Sequence, residues 1–166
     1  MARILQDYPG ISLKAEDMDG KIDFVRIFGR PGPVHIEIGS GKGTFLLGQA
    51  TAQPGDNFLG IEWTRKYYRY AVDRIGRWGL TNVRIIRTDA AGFIANSVPD
   101  GSVDCFHIYF PDPWPKKRHH KRRLICPANM EHLIRCLKKA GQLHIATDHA
   151  DYFEQIKTVL AAKSDV

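Results

Sequence analysis

From Val34 onward, short apolar runs alternate with stretches of helical spacing. Val34-His35-Ile36-Glu37-Ile38 reads as a strand that ends in glycines. Phe58 to Glu62, Val83 to Ile86, Val103 to Phe110 and Gln142 to Thr147 read as four more. Gly43 to Gln53 fits a short helix with Phe45, Leu46 and Leu47 available to pack. Thr64 caps a helix carrying Tyr67, Tyr68, Ala71, Ile75 and Trp78, which Gly79 stops. Pro127 opens a helix with Met130, Leu133, Ile134 and Leu137 at helical spacing, and the pattern runs to Gly141. Tyr152, Phe153, Ile156, Val159 and Leu160 mark a last helix. Ahead of Val34 the pattern is mixed: a short helix over 23–28, then a break at Gly29-Arg30-Pro31-Gly32-Pro33. The expected organisation is an N-terminal extension over 1–33 and one domain over 34–166. Alternating strands and helices imply right-handed crossovers, hence an α/β fold with a mostly parallel sheet.

In such sheets ligands bind beyond the carboxyl ends of the strands. Those ends read Glu37-Ile38-Gly39-Ser40-Gly41-Lys42-Gly43, Glu62-Trp63, Thr88-Asp89-Ala90, Phe110-Pro111-Asp112-Pro113-Trp114 and Thr147-Asp148-His149. Each carries an acidic residue. One strand-end carboxylate is as readily a helix N-cap as a ligand group. Five in succession, with glycines after the first, favour a shared site.

Three nucleotide-type motifs compete at the glycines. A phosphate-binding P-loop fails because Lys42 is followed by Gly43 and position 36 is Ile. A dinucleotide fingerprint is weakened because Thr44 stands where its third glycine belongs, which disfavours a nicotinamide-linked oxidoreductase. The third pattern, Glu37-x-Gly39-x-Gly41-x-Gly43, sets a carboxylate at the turn. That opposes pyrophosphate and suits a cation such as S-adenosylmethionine, which carries a sulfonium and an ammonium. Glu62, 21 residues after Gly41, is placed to accept from two ribose hydroxyls, and Asp89 from an adenine amino group.

Charge sharpens this picture. The chain has 24 Lys+Arg against 18 Asp+Glu, a net charge of +6. Lys116-Lys117-Arg118-His119-His120-Lys121-Arg122-Arg123 holds the whole excess, since the remaining chain balances. A run so dense beside the presumed site points to a polyanion such as RNA. Just before it, Pro111, Pro113 and Pro115 stiffen a non-helical loop that presents Asp112 and Trp114. Cys105, Cys126 and Cys136 are odd in number and lack C-x-x-C spacing, which excludes a disulfide framework and disfavours structural zinc. His119 and His120 have no companion ligands at metal spacing, so no metal is expected. With no membrane-length apolar run or cleavable leader, the expected location is the cytoplasm.

HIEIGSGKG from His35, FLGIEW from Phe58, YFPDPWPKKRHHKRRL from Tyr109 and IATDHADY from Ile145 together resemble bacterial tRNA (guanine-N7-)-methyltransferases, over about Val34 to Phe153. The resemblance implies a class I (Rossmann-like) fold and methyl transfer from S-adenosylmethionine to N7 of a guanine in the variable loop of tRNA. It implies cofactor contacts from Glu37, Glu62, Asp89 and Asp112, with Gly39, Gly41, Gly43 and Ala90 at the same turns. Asp112 is then the candidate catalytic residue. Lys116 and Asp148 contact substrate, with Arg118, Lys121, Arg122 and Arg123 on the tRNA backbone. The family's terminal strand pair and Thr-x-x-Glu-type substrate motif have no counterpart here, so 142–147 is expected to form a bare sheet edge. The competing expectations are a methyltransferase acting on another RNA and an inactive cofactor- or RNA-binding remnant.

Overall fold

The computed structural model describes residues 4–18 and 20–163, without the side chain of residue 17. Its strands are β1 (Ser12–Leu13), β2 (Val34–Ile38), β3 (Asn57–Ile61), β4 (Val83–Ile86), β5 (Val103–Tyr109) and β6 (Leu137–Ala146). Its helices are α1 (Phe24–Phe28), α2 (Thr44–Ala52), α3 (Arg65–Arg77), α4 (Ala90–Ser97), α5 (Pro127–Cys136) and α6 (Ala150–Ala161). Among the described residues the strands form one sheet in the order β1-β4-β3-β2-β5-β6, with every pairing parallel.

Strand alternation divides the core. One face buries Ile36, Ile38, Phe106 and Ile108 under α1, α4, α5 and α6. The other packs Phe58, Val83 and Ile85 against Leu46 of α2 and Ala71 and Ile75 of α3. The order reverses at β2, between β3 and β5, so the ends of these strands open a crevice.

The residues before Val34 join this framework. Asp23 caps α1 by accepting from the Arg26 N–H at 3.0 Å, and Phe24 and Phe28 enter the core. The Ile85 N–H donates to the Ile11 carbonyl, and β1 pairs with β4.

Two local expectations need correction. The helix from Pro127 ends at Cys136, not Gly141. Its last carbonyls accept from turn backbone, Gly101 N–H to Arg135 O and Ser102 N–H to Cys136 O, while Leu137 turns extended. β6 then pairs with β5 through a bulge, with Val103 opposite Leu137 but Cys105 opposite Gln142. Helix α4, where the apolar pattern assigns no element, starts at Asp89, whose carboxylate accepts from the Gly92 N–H at 2.7 Å. Its far end is capped by tertiary structure: the Arg135 guanidinium donates to the Ile94, Ala95 and Val98 carbonyls. Among the described residues β6 lies at the sheet edge next to β5, over Leu137–Ala146 rather than 142–147.

Candidate active site

Where the strands end, a cleft of about 500 Å³ opens between the turns after β2 and β3, the head of α4 and the loop after β5. Gly39, Gly41, Glu62, Asp89, Ala90 and Asp112 line it together, with Trp63, Tyr67, Tyr109, Trp114 and Arg122.

The turn after β2 has Gly39, Gly41 and Gly43 at φ of 78°, 53° and 71°. At Gly43 a Cβ would stand 3.1 Å from the Ala71 Cβ, so the turn nests directly on α3. At Gly41 the left-handed backbone aims its N–H at Glu62 Oε2, 2.8 Å away. Glu62 Oε1 accepts from the Thr64 N–H at 2.7 Å. One carboxylate thus ties two strand-to-helix turns, and its remaining lone pairs stay available to a ligand.

Glu37 is 6% exposed, and its Oε2 has no hydrogen-bond partner among the described residues. Burial pushes its carboxyl up to about 8, and the Glu62 charge raises it further. Ser40 Oγ, on the same turn, is also buried and unpartnered. An orphaned buried polar group costs about 1–3 kcal/mol. Two such groups flanking Gly39 suit a ligand that brings hydrogen-bond donors.

Asp112 sits on a constrained loop at the cleft mouth. Phe110 and Trp114 take left-handed φ of 51° and 44° without being glycines, at about 1–3 kcal/mol each. Partners fix both ends: the Phe110 N–H donates to Ala146 O at 2.8 Å, and Pro113 O accepts from Arg123 Nε at 2.7 Å.

The basic run forms a 3-10 helix over Lys117–Arg122, and its three-residue period sorts its side chains. His119 and Arg122 share one stripe against Trp114, the ring at 5.9 Å and the guanidinium at 4.9 Å. Arg118 and Lys121 form an exposed stripe, and Lys116 and Lys117 are exposed beside them. Arg123 must be withdrawn from the expected docking surface. Its side chain is 1% exposed, stacks on Tyr152 at 4.8 Å, and donates to Asp151 Oδ2 (2.5 Å), Gln155 Oε1 (2.7 Å) and Pro113 O. It is the bolt that fastens the proline loop to α6. The Arg123 guanidinium also holds the Asp151 carboxyl below the usual range.

Asp148 lies exposed beyond β6 on the same sheet edge, outside the cleft lining. Arg74, Arg77 and Arg84 are tied to Thr44, Asp73 and the Ile27 carbonyl. Arg65, Arg69 and Arg87 line a second cleft, of about 400 Å³, against the N-terminal segment. Tyr67 and Tyr109 escaped sequence reasoning as cleft walls, because helical and strand periodicity marks them only as packing residues.

Comparison with known proteins gives a family model described as "Putative methyltransferase" that matches residues 31–166. The chain is 46% identical over 142 residues to a tRNA (guanine-N(7)-)-methyltransferase of Nitrosococcus oceani, covering 86% of this chain and 60% of that protein. It is 41% identical over 159 residues to the enzyme of the same name from Alkalilimnicola ehrlichii, covering 96% and 67%. The chain thus spans about 60% of the length of the first of these relatives. Among solved structures, an antibiotic-related methyltransferase superposes with a TM-score of 0.62 at 23% identity, covering 82% of this chain and 70% of that one. A SAM-dependent methyltransferase from Aquifex aeolicus gives 0.54 at 20% identity, covering 73% and 60%. At that identity the likeness shows the fold.

Burial of Arg123 has a measurable consequence. Arg123→Met is expected to lower the thermal midpoint and speed exchange of the hydrogen-bonded Phe110 and Ile125 amides, whereas Arg122→Met leaves both near wild type. Equal behaviour of the two variants would show that Arg123 does not fasten the loop.

Proposed function

This chain belongs to the tRNA (guanine-N7-)-methyltransferase family, and on that premise we propose that it transfers a methyl group from S-adenosylmethionine to N7 of a guanine in the variable loop of tRNA. The observation that carries this reading is Glu37, a buried, unpartnered acceptor beside a second carboxylate. Such a turn suits a ligand with positive charge and N–H donors, which would favour the ionised form of Glu37. The residues present therefore fit the cofactor. Glu37 and Ser40 would meet its amino end, Glu62 its ribose, and Asp89 and Ala90 its base. When bound, S-adenosylmethionine supplies a methyl group made electrophilic by the sulfonium.

The chain's own task is placement. Guanine N7 is an exposed lone pair with no proton to remove, so no strong base is needed. Orientation supplies much of the rate, and fixed charge supplies more as the purine becomes cationic. Asp112, held at the cleft mouth by a loop with little freedom, accepts hydrogen bonds from the guanine N1–H and amino group and stabilises that charge. Phe110, 66% exposed, and Trp114 offer aromatic faces to a base drawn from its stack. Lys116, Arg118 and Lys121 take backbone phosphates outside the cleft, Arg122 stands between them and the reacting base, and Asp148 supports the substrate from the neighbouring strand end. Among the described residues no helix is long and apolar enough to cross a membrane, and a tRNA substrate would place the work in the cytoplasm. The second reading is cofactor and RNA binding without transfer.

Incubation with unmodified tRNA and methyl-labelled cofactor, followed by nucleoside analysis, is expected to yield 7-methylguanosine. Cofactor binding without label in RNA would select the second reading. Asp112→Ala is expected to lower kcat by about 10²–10³-fold, the scale of one preorganised electrostatic group; unchanged turnover would remove Asp112 from the mechanism. The paired change Arg118→Gln and Lys121→Gln is expected to weaken tRNA binding and reduce its salt slope by about one unit per lost contact. An unaltered slope would place the RNA elsewhere.

A further inference from the structure

On the sheet face that carries α2, three ligand-bearing side chains converge from adjacent strands. His35 comes from β2, and Cys105 and His107 from β5. Parallel pairing sets His35 opposite Cys105 and Glu37 opposite His107, so strand alternation sends all three to the same side. Their ligand atoms lie within 4.8 Å of one another, and His35 Nδ1 is 3.1 Å from His107 Nε2. Phe58 stacks on His35 at 4.8 Å, and Phe45 of α2 packs on His107 at the same distance. The outward nitrogens are held too. His35 Nε2 is 3.2 Å from Asp56 Oδ2, and His107 Nδ1 is 3.0 Å from the Tyr109 hydroxyl. Two imidazoles that face each other inward, each fixed outward by an oxygen, form the outer-shell arrangement typical of metal-ligating histidines.

We propose that His35, Cys105 and His107 form a binding site for a zinc-class divalent metal, separate from the carboxylate cleft. Two nitrogens and one sulfur make a borderline-soft donor set. Bonds of about 2.0–2.3 Å to a tetrahedral ion set donor separations of about 3.3–3.6 Å, so the two nitrogens would open slightly from 3.1 Å and the sulfur would move in by no more than roughly an ångström, within the reach of side-chain torsion.

Without metal, a chain of hydrogen bonds satisfies the rings. Tyr109 O–H donates to His107 Nδ1, His107 Nε2–H donates to His35 Nδ1, and His35 Nε2–H donates to Asp56. Metal binding replaces the central link. The His107 proton moves from Nε2 to Nδ1, where Tyr109 becomes its acceptor. The Cys105 S–H bond breaks, its proton leaves to solvent, and the sulfur lone pair bonds the ion, so one divalent ion enters and one proton departs. The His144 ring, on neighbouring β6, stands 5.4 Å from His107. The site joins β2 to β5 two residues below Glu37 and Tyr109, directly beneath the cleft.

Chelator-stripped protein titrated with cobalt(II) tests this. The expected result is a thiolate-to-cobalt charge-transfer band with tetrahedral visible bands, saturating at one ion per chain and displaced by zinc. Cys105→Ala is expected to abolish the charge-transfer band and His107→Gln to weaken binding at least tenfold, while Cys126→Ser keeps the wild-type spectrum. Circular dichroism of the metal-free variants checks that they fold. In the wild type, zinc is also expected to protect Cys105 from alkylation, which needs no variant. No charge-transfer band in the wild type, or a band that survives in Cys105→Ala, overturns the proposal.

Discussion

A buried carboxylate without a partner is the constraint around which this molecule is arranged. Glu37 sits near the end of the strand where sheet order reverses, beneath a glycine turn and beside a second buried acid, Glu62. Left alone, such a group weakens the fold, because desolvation and like charge both act against its ionised form. The surroundings tolerate it because they are otherwise well tied. Glu62 braces the turns at Gly41 and Thr64 at once, and Gly43 lets the turn rest on Ala71. The result is a rigid acidic turn in which a cationic ligand would favour the ionised form of Glu37.

The loop opposite follows the same logic with reversed charge. Strained backbone at Phe110 and Trp114 is held by Arg123, a cation buried among Asp151, Gln155 and Tyr152. The helical turn that follows then separates its neighbours by period, some against Trp114 and some toward solvent. A single run of basic residues thus divides its labour between fastening the loop and facing solvent. Acidic cleft and basic flank meet at Asp112 and Arg122.

Much of this was legible in the sequence because it depends on local pattern. Strands β2 to β6 follow from short apolar runs, and the cleft carboxylates from their ends. What escaped was set by tertiary contact. The helix from Pro127 stops early because the backbone of Gly101 and Ser102 caps it, an event far away in sequence. Helix α4 is short, and its far end depends on Arg135 reaching across from α5. Arg123 reads as one more surface charge until α6 folds over it. His35, Cys105 and His107 show no ligand spacing along the chain, because sheet register alone brings them together.

The most direct test of the central claim is the affinity of S-adenosylhomocysteine, which keeps the ammonium group, measured by calorimetry on the wild type and on Glu37→Gln. A charge-assisted hydrogen bond contributes about 1.5–3 kcal/mol. The account therefore predicts binding weakened by about 10–100-fold in the variant, with the fold intact. Equal affinity in the two proteins would contradict it, because the buried acid would then not hold the ligand's charge.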